Sequence, residues 1–155
     1  SGNMSFHCED CSAHHFAETV YQTHQVIILP PVEFIKEFPD EDVTIHIDRM
    51  RLTQVITNFL GNAKKFTSQG HIKLGYFCDK EKKEIHIFVE DTGAGIPKEE
   101  LQMIFERFYK RNEFVQGVGL GLAISKVIVE KMNGHIDVQS EVNKGSRFTA
   151  VLPYL

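Results

Sequence analysis

Cysteine is scarce: Cys8, Cys11 and Cys78 are the only three in 155 residues. An odd, small count argues against a disulfide scaffold and fits a reducing compartment. Long apolar runs are missing too. No stretch approaches the roughly 18 residues that a membrane-spanning helix needs, and no secretory leader pattern is visible. Neither sign of charge dominates, with 17 Lys and Arg against 21 Asp and Glu and a formal net charge of −4. That balance disfavours nucleic acid or an acidic membrane surface as the main partner. Two common phosphate-binding patterns are also lacking, since neither GxGxxG nor the GK[ST] of a Walker loop occurs. No internal repeat and no low-complexity stretch is present.

What remains is ordinary globular material, 42% apolar and 25% charged. A chain of this size builds a core without staples, and it reads as one domain over residues 1–155, with Ser1 and Gly2 set aside as a cloning remnant. Residues 3–9 alternate weakly and read as a strand, and 12–25 as a helix capped by Ser12. VEFIKEF from Val32 and VTIHI at 43–47 read as two strands joined by the turn PDED. Residues 49–66 form the strongest helix, with Leu52, Val55, Ile56, Phe59, Leu60 and Ala63 at helical spacing. Strands at 71–77 and 84–91 follow, separated by the charged turn DKEKKE. Pro97 is placed at the first position of a short helix, KEELQMIFERF. A Gly-rich stretch leads into a helix at about 120–132 that stops at Asn133-Gly134 and whose apolar stripe over 119–130 reads as core, and strands HIDVQS and SRFTAVL close the chain. Strand pairs with short turns imply antiparallel pairing. The expected fold class is α+β: a two-layer sandwich in which helices cover one face of a mixed, mostly antiparallel sheet.

Three short patterns carry chemistry. Asn58 and Asn62 lie one turn apart on one helix face. Two amides on a helix that buries an apolar stripe either satisfy each other's surroundings as core groups or bind something. An amide carbonyl suits Mg²⁺, which prefers oxygen ligands, and Lys65 on the same side could reach phosphate. In DTGAGIP, Asp91 ends an apolar strand. Its carboxylate either caps the strand-to-helix turn or accepts an N–H from a ligand such as the adenine amino group, while Gly93 and Gly95 let a flat ring come close. In GVGLGLA, Gly117, Gly119 and Gly121 precede a helix start, either as a plain loop or as a nest of N–H donors for an anion.

The order of these patterns is more specific than any one of them. DRMRLTQVITNFLGNAKKFT (48–67), VEDTGAGIPKEELQMIFERFYK (89–110) and GVGLGLAISKVIVEKMNGHIDVQSEVNKGSRFTAVLP (117–153) resemble the catalytic and ATP-binding domain of sensor histidine kinases. That domain belongs to the superfamily shared with gyrase, heat-shock chaperone and mismatch-repair ATPases. The resemblance implies a Bergerat-type ATP-binding fold with ATP and Mg²⁺ as cofactors. It implies Asn62 as metal ligand with Asn58 as polar support, Lys65 as a phosphate contact and Phe66 as the aromatic beside the nucleotide. It implies Asp91 as adenine reader, with Gly93, Gly95 and Ile96 shaping its pocket. Phe105 and Phe108 match an aromatic box, Lys110 a basic residue aimed at the γ-phosphate, and Gly117, Gly119, Leu120 and Gly121 the lid loop. Val118 departs from the Thr or Ser of many relatives.

The resemblance also implies an activity. Hydrolysing members of the superfamily carry a Glu as general base where Asn58 stands, and an amide accepts no proton at neutral pH. Transfer is therefore expected over hydrolysis, with Asn58, Asn62, Lys65 and Lys110 as the catalytic set. None of the eight histidines has the acceptor context of an acidic residue followed by Thr-Pro. The acceptor is expected on a separate histidine-containing dimerisation domain of the same receptor, passing phosphate on to a response regulator. The parent is expected to be a homodimer anchored in the bacterial inner membrane, with this domain in the cytoplasm. A regulatory ATP-binding module, a gyrase-like ATPase and an anti-sigma-type kinase are the alternatives. His7-Cys8-x-x-Cys11-x-x-His14 has zinc-like spacing but no second CxxC, and is read as ordinary residues.

Overall fold

The computed structural model describes residues 4–106 and 121–154. The chain starts with β1 (Glu9–Ser12), α1 (Ala13–Gln25), β2 (Val32–Glu37), β3 (Thr44–Ile47) and α2 (Arg49–Phe66). It continues with β4 (Gly70–Asp79), β5 (Glu84–Asp91), α3 (Gly121–Lys131), β6 (His135–Glu141) and β7 (Gly145–Pro153). The main sheet runs β2-β4-β5-β7-β6, and a two-stranded ribbon pairs β1 with β3. Only β2 and β4 pair in parallel in the main sheet; its other neighbours are antiparallel.

Strand alternation sets the core. Ile72, Leu74 and Tyr76 of β4, Ile85, Ile87 and Val89 of β5, and Phe148, Ala150 and Leu152 of β7 share the face toward the helices and are buried. The six apolar residues of α2 named from their spacing meet them, each at most 2% exposed. Phe59 and Phe148 bring their ring centroids to 5.4 Å. The opposite face is polar and aromatic. Arg147 lies 3.9 Å above the Phe88 ring and reaches Glu90 at 2.8 Å.

Helix ends follow their caps. Ser12 accepts from His15 N at 3.0 Å at the start of α1. Asp48 accepts from Arg51 N at 3.1 Å at the start of α2, and its other oxygen accepts from His7 N at 2.8 Å. After α3, Asn133 takes a left-handed φ of 65°, as a C-terminal stop requires.

Four expectations change. First, VEFIKEF and VTIHI are not a hairpin. The Asp42 carboxylate, between them, accepts from Ser12 Oγ and from the backbone N–H groups of His14 and Val43. These bonds turn the chain toward α1, so β3 pairs with β1 and leaves β2 for β4. Second, the first strand is Glu9–Ser12 rather than residues 3–9. Its ladder partner has only the four residues Thr44–Ile47, and His7 is tied by the Asp48 side chain instead. Third, the described part of KEELQMIFERF, residues 98–106, forms no α-helix. Lys98–Glu100 is one 3₁₀ turn, and later bonds such as Met103 N to Glu100 O (2.9 Å) span three residues, not four. Pro97 is its cap residue at ψ 143° rather than its first helical residue. The tighter winding buries Ile104, at 2% exposure. Fourth, the apolar stripe of the last helix is core only in part: Ile128 and Val129 are buried, but Val127 is 40% exposed.

Burial works against the Asp48 charge, but the N–H groups of His7 and Arg51 outweigh it and hold the carboxyl below its usual range. A carboxylate whose folded pKa is depressed stabilises the fold above its unfolded pKa, and that gain fades as pH falls through the folded value. Asp48→Asn keeps a capping oxygen but loses the charge. It should cost about 1 kcal/mol at pH 7 and show a smaller further loss below about pH 4 than the wild-type chain. Denaturant titrations at pH 7 and pH 3 check both numbers.

Candidate functional site

The site grows from the end of β5. Asp91 is the last residue of that strand, with Ile72 of β4 on one side and Ser146 of β7 on the other. This central position leaves it 8% exposed. One carboxylate oxygen accepts from Gly93 N at 2.9 Å, so Asp91 caps its own turn. An ionised carboxylate has further lone pairs to offer, so this bond does not exhaust its accepting capacity.

The turn after Asp91 is gripped from two sides. Ala94 N donates to Phe66 O at 3.1 Å, at the C-terminus of α2. Asn143 N donates to Ala94 O at 2.7 Å from the β6–β7 turn. Ile96 N donates to Ser140 Oγ at 2.7 Å, and Ser140 and Ser146 bring their hydroxyls to 2.7 Å. The two glycines are required by this grip. A Cβ at Gly93 would lie 2.2 Å from Phe66 O, and one at Gly95 2.1 Å from Glu141 O. Gly95 also has φ +73°. Ile96 is 2% exposed and seats the turn in the core.

The other wall is α2. Asn58 donates through Nδ2 to Gly121 O (3.1 Å) and to Ser125 Oγ (3.2 Å), in the first turn of α3. Ser125 itself donates to Gly121 O at 2.8 Å. Asn58 thus clamps the start of α3, and its amide orientation is fixed. Asn62, one turn on, is half-buried, and its side chain makes no hydrogen bond to a described residue. Phe66 is half-buried a further turn along, while Lys65 is exposed and has no ion pair among the described residues.

The fold therefore brings Asn58 to Gly121, and Phe66 to Gly93 and Ala94, with Asp91, Gly95 and Ile96 in the same turn. Phe105 packs partly buried against the core. Phe108, Lys110, Gly117, Gly119 and Leu120 lie outside the described residues. Cys8 is exposed while Cys11 is buried, and His14 packs edge-on to Phe38 at 5.8 Å. Sequence reasoning missed four hydroxyls: Ser125, Ser140, Ser146 and Thr67. Ser125 left a faint trace, as a polar residue inside the apolar stripe of the last helix. Asp79, Glu84 and His86 bring ligating atoms within 4.8 Å of one another, but at the opposite end of the β4–β5 hairpin, where Glu84 and His86 pair at 3.7 Å.

Known proteins share this fold. Residues 47–155 match the family model described as histidine kinase-, DNA gyrase B-, and HSP90-like ATPase. The sensor histidine kinase WalK of Bacillus subtilis is 39% identical over 128 residues, covering 79% of this chain and 21% of that protein. The sensor protein SrrB of Staphylococcus aureus is 44% identical over 110 residues, covering 68% of this chain and 19% of that protein. The chain thus spans about a fifth of the length of these relatives. The full-length ShkA structure in complex with AMPPNP superposes with a TM-score of 0.89 at 26% identity, over 99% of this chain and 32% of that one. The catalytic domain of histidine kinase ThkA superposes with a TM-score of 0.84 at 28% identity, over 96% and 97%. With the family model covering most of its length and the fold agreeing throughout, the chain belongs to the histidine kinase-, DNA gyrase B- and HSP90-like ATPase family, on its sensor histidine kinase branch.

Proposed function

We propose that this chain binds Mg-ATP and donates the γ-phosphate to a histidine on a separate acceptor domain of a two-component sensor kinase, which then phosphorylates a response regulator. The observation that carries the reading is a pair of polar groups on two elements that the Ala94 N to Phe66 O bond ties together, α2 and the turn after β5. One is the Asn62 amide, which has no hydrogen bond to a described residue. The other is the buried Asp91 carboxylate.

In this reading Asp91 accepts the adenine amino N–H, a bond to a charged acceptor inside a largely dry turn. Gly93 and Gly95 keep the turn thin enough for the ring, Ile96 lies beneath it, and Phe66 flanks it. Asn62 turns its carbonyl oxygen to Mg²⁺, and its half-buried, unengaged amide suits a hard cation that keeps most of its waters. Bound Mg²⁺ supplies charge neutralisation on the phosphates. Lys65 and Lys110 add cationic contacts, and the N–H groups at Gly117, Gly119, Leu120 and Gly121 form the anion nest. Phosphoryl transfer asks the protein mainly for position and charge.

Asn58 decides between transfer and hydrolysis. Its NH₂ is committed to Gly121 and Ser125, and its oxygen takes no proton at neutral pH. No strong base therefore stands ready for a water at this position. The acceptor and dimerisation segments lie on a homodimeric parent anchored in the bacterial inner membrane, with this domain on the cytoplasmic side. Among the described residues no helix is long and apolar enough to cross a membrane.

Two substitutions test the assignment. Asp91→Asn should weaken ATP by about 1.5–3 kcal/mol, roughly 10- to 150-fold in Kd, with the unfolding midpoint within a few degrees of wild type. Unchanged affinity by calorimetric titration would remove Asp91 from the site. Asn62→Ala should leave metal-free ATP binding within about twofold but cut the tightening on adding Mg²⁺ by about tenfold or more. An undiminished Mg²⁺ effect would place the metal ligand elsewhere.

A further inference from the structure

Asp79 and Glu84 face each other across the last rung of the β4–β5 hairpin, and His86 follows two residues along β5 on the same face. This is the sheet face away from the helices, at the end of β5 opposite to Asp91. Two carboxylates placed directly opposite repel each other. Among the described residues no Lys or Arg comes within ion-pair distance of either one, and Lys80, next to Asp79 in the chain, reaches Glu41 at 2.8 Å instead. Beside them, His86 Nε2 is buried and has no hydrogen-bond partner. Glu84 Oε1 stands 3.7 Å from it, too far for a hydrogen bond. An ion with bonds of about 2.0–2.2 Å to nitrogen and oxygen holds two tetrahedral ligands roughly 3.4 Å apart, so the gap suits a shared ion better than a shared proton. The ligating atoms of all three side chains lie within 4.8 Å of one another.

Neighbouring groups hold these ligands in place, as the surroundings of metal ligands commonly do. The His86 ring stacks on Phe77, with centroids 4.6 Å apart and planes 18° apart. Asp79 Oδ1 accepts from the N–H groups of Glu81 and Lys82 at 3.1 and 3.2 Å, which fixes the carboxylate and leaves its other oxygen available. We propose that Asp79, Glu84 and His86 form a binding site for one divalent transition-metal ion, Zn²⁺ being the ion these ligands fit, and that the ion staples the β4–β5 hairpin at its turn. Two carboxylates and a neutral imidazole balance its charge. The imidazole nitrogen selects against Mg²⁺ and Ca²⁺, which take oxygen ligands. Three protein ligands leave the fourth position to water. The Glu84 side chain is 28% exposed, so the ion reaches the three groups from solvent past this carboxylate. The site lies at the far end of β5 from the turn assigned to the nucleotide, and its occupancy does not depend on that assignment.

The test titrates the chain with ZnCl₂ by calorimetry, without nucleotide. The wild-type chain should take up one equivalent with a Kd of about 10 μM or tighter. Free Zn²⁺ at about ten times that Kd should raise the thermal midpoint by about 3–5 °C. Glu84→Gln removes one charge, and His86→Phe keeps a ring against Phe77 but removes the nitrogen. Each should weaken Zn²⁺ about tenfold or more and abolish the rise in midpoint. Glu84→Gln carries the test by itself if His86→Phe does not fold. A Cys8→Ser/Cys11→Ser variant should bind Zn²⁺ as wild type does. Loss of binding there would move the ion to the N-terminal thiols and overturn the assignment. Absence of saturable Zn²⁺ binding by the wild-type chain, or unchanged affinity in Glu84→Gln, would overturn it as well, whatever the chain does with ATP.

Discussion

The hydrogen bond from Ala94 N to Phe66 O, at 3.1 Å, joins the end of the longest helix to the turn that follows the central strand. It can form because Gly93 has no side chain where the two backbones meet, with only 2.2 Å from a Cβ there to Phe66 O. Everything proposed for the site hangs from this contact. It sets the distance between the Asn62 face of α2 and the Asp91 carboxylate, and it shuts Thr67 under the turn. The buried stripe of α2 against β4, β5 and β7 holds both partners in place. The strap itself is one backbone bond, modest in net free energy. The packing behind it supplies the rigidity, because close-packed interiors do not deform gradually.

Hydroxyl groups continue this scaffold. Ser140 links the turn to the β6–β7 connection, receiving Ile96 N and meeting Ser146. Ser125, fully buried, shares the Gly121 carbonyl with Asn58. Thus the residue proposed to favour transfer over hydrolysis also holds the start of α3. A change at Asn58 would disturb the start of α3 along with any step it serves, so its kinetic effects need the geometry of α3 alongside them.

Much of this was legible in the sequence. The bounds of α2 and β5 were read to the residue, because Asp48 and the six-residue apolar stripe mark the one and strict alternation to Asp91 the other. The residues proposed for the site also stood out in the sequence, since Asn58, Asn62, Asp91, Gly93 and Gly95 belong to patterns whose order is specific. Pairings set by distant groups were not. Nothing local tells β2 to run parallel to β4, and the Asp42 carboxylate that frees it acts across 28 residues to His14. Residues 98–106 have helix-forming composition, yet burying Ile104 through three-residue turns overrides it. Single Ser and Thr residues carry no periodic signal, so Ser140, Ser146 and Thr67 became visible only through their neighbours.

The central claim concerns the fate of one phosphoryl group. The direct measurement follows labelled γ-phosphate from Mg-ATP when this chain is mixed with an acceptor domain carrying a histidine followed by an acidic residue and Thr-Pro. The account predicts acid-labile phosphohistidine on the acceptor, with free phosphate released by the chain alone at least about tenfold more slowly than transfer. Steady release of free phosphate without labelled acceptor would contradict it and return the chain to the hydrolysing branch of its family.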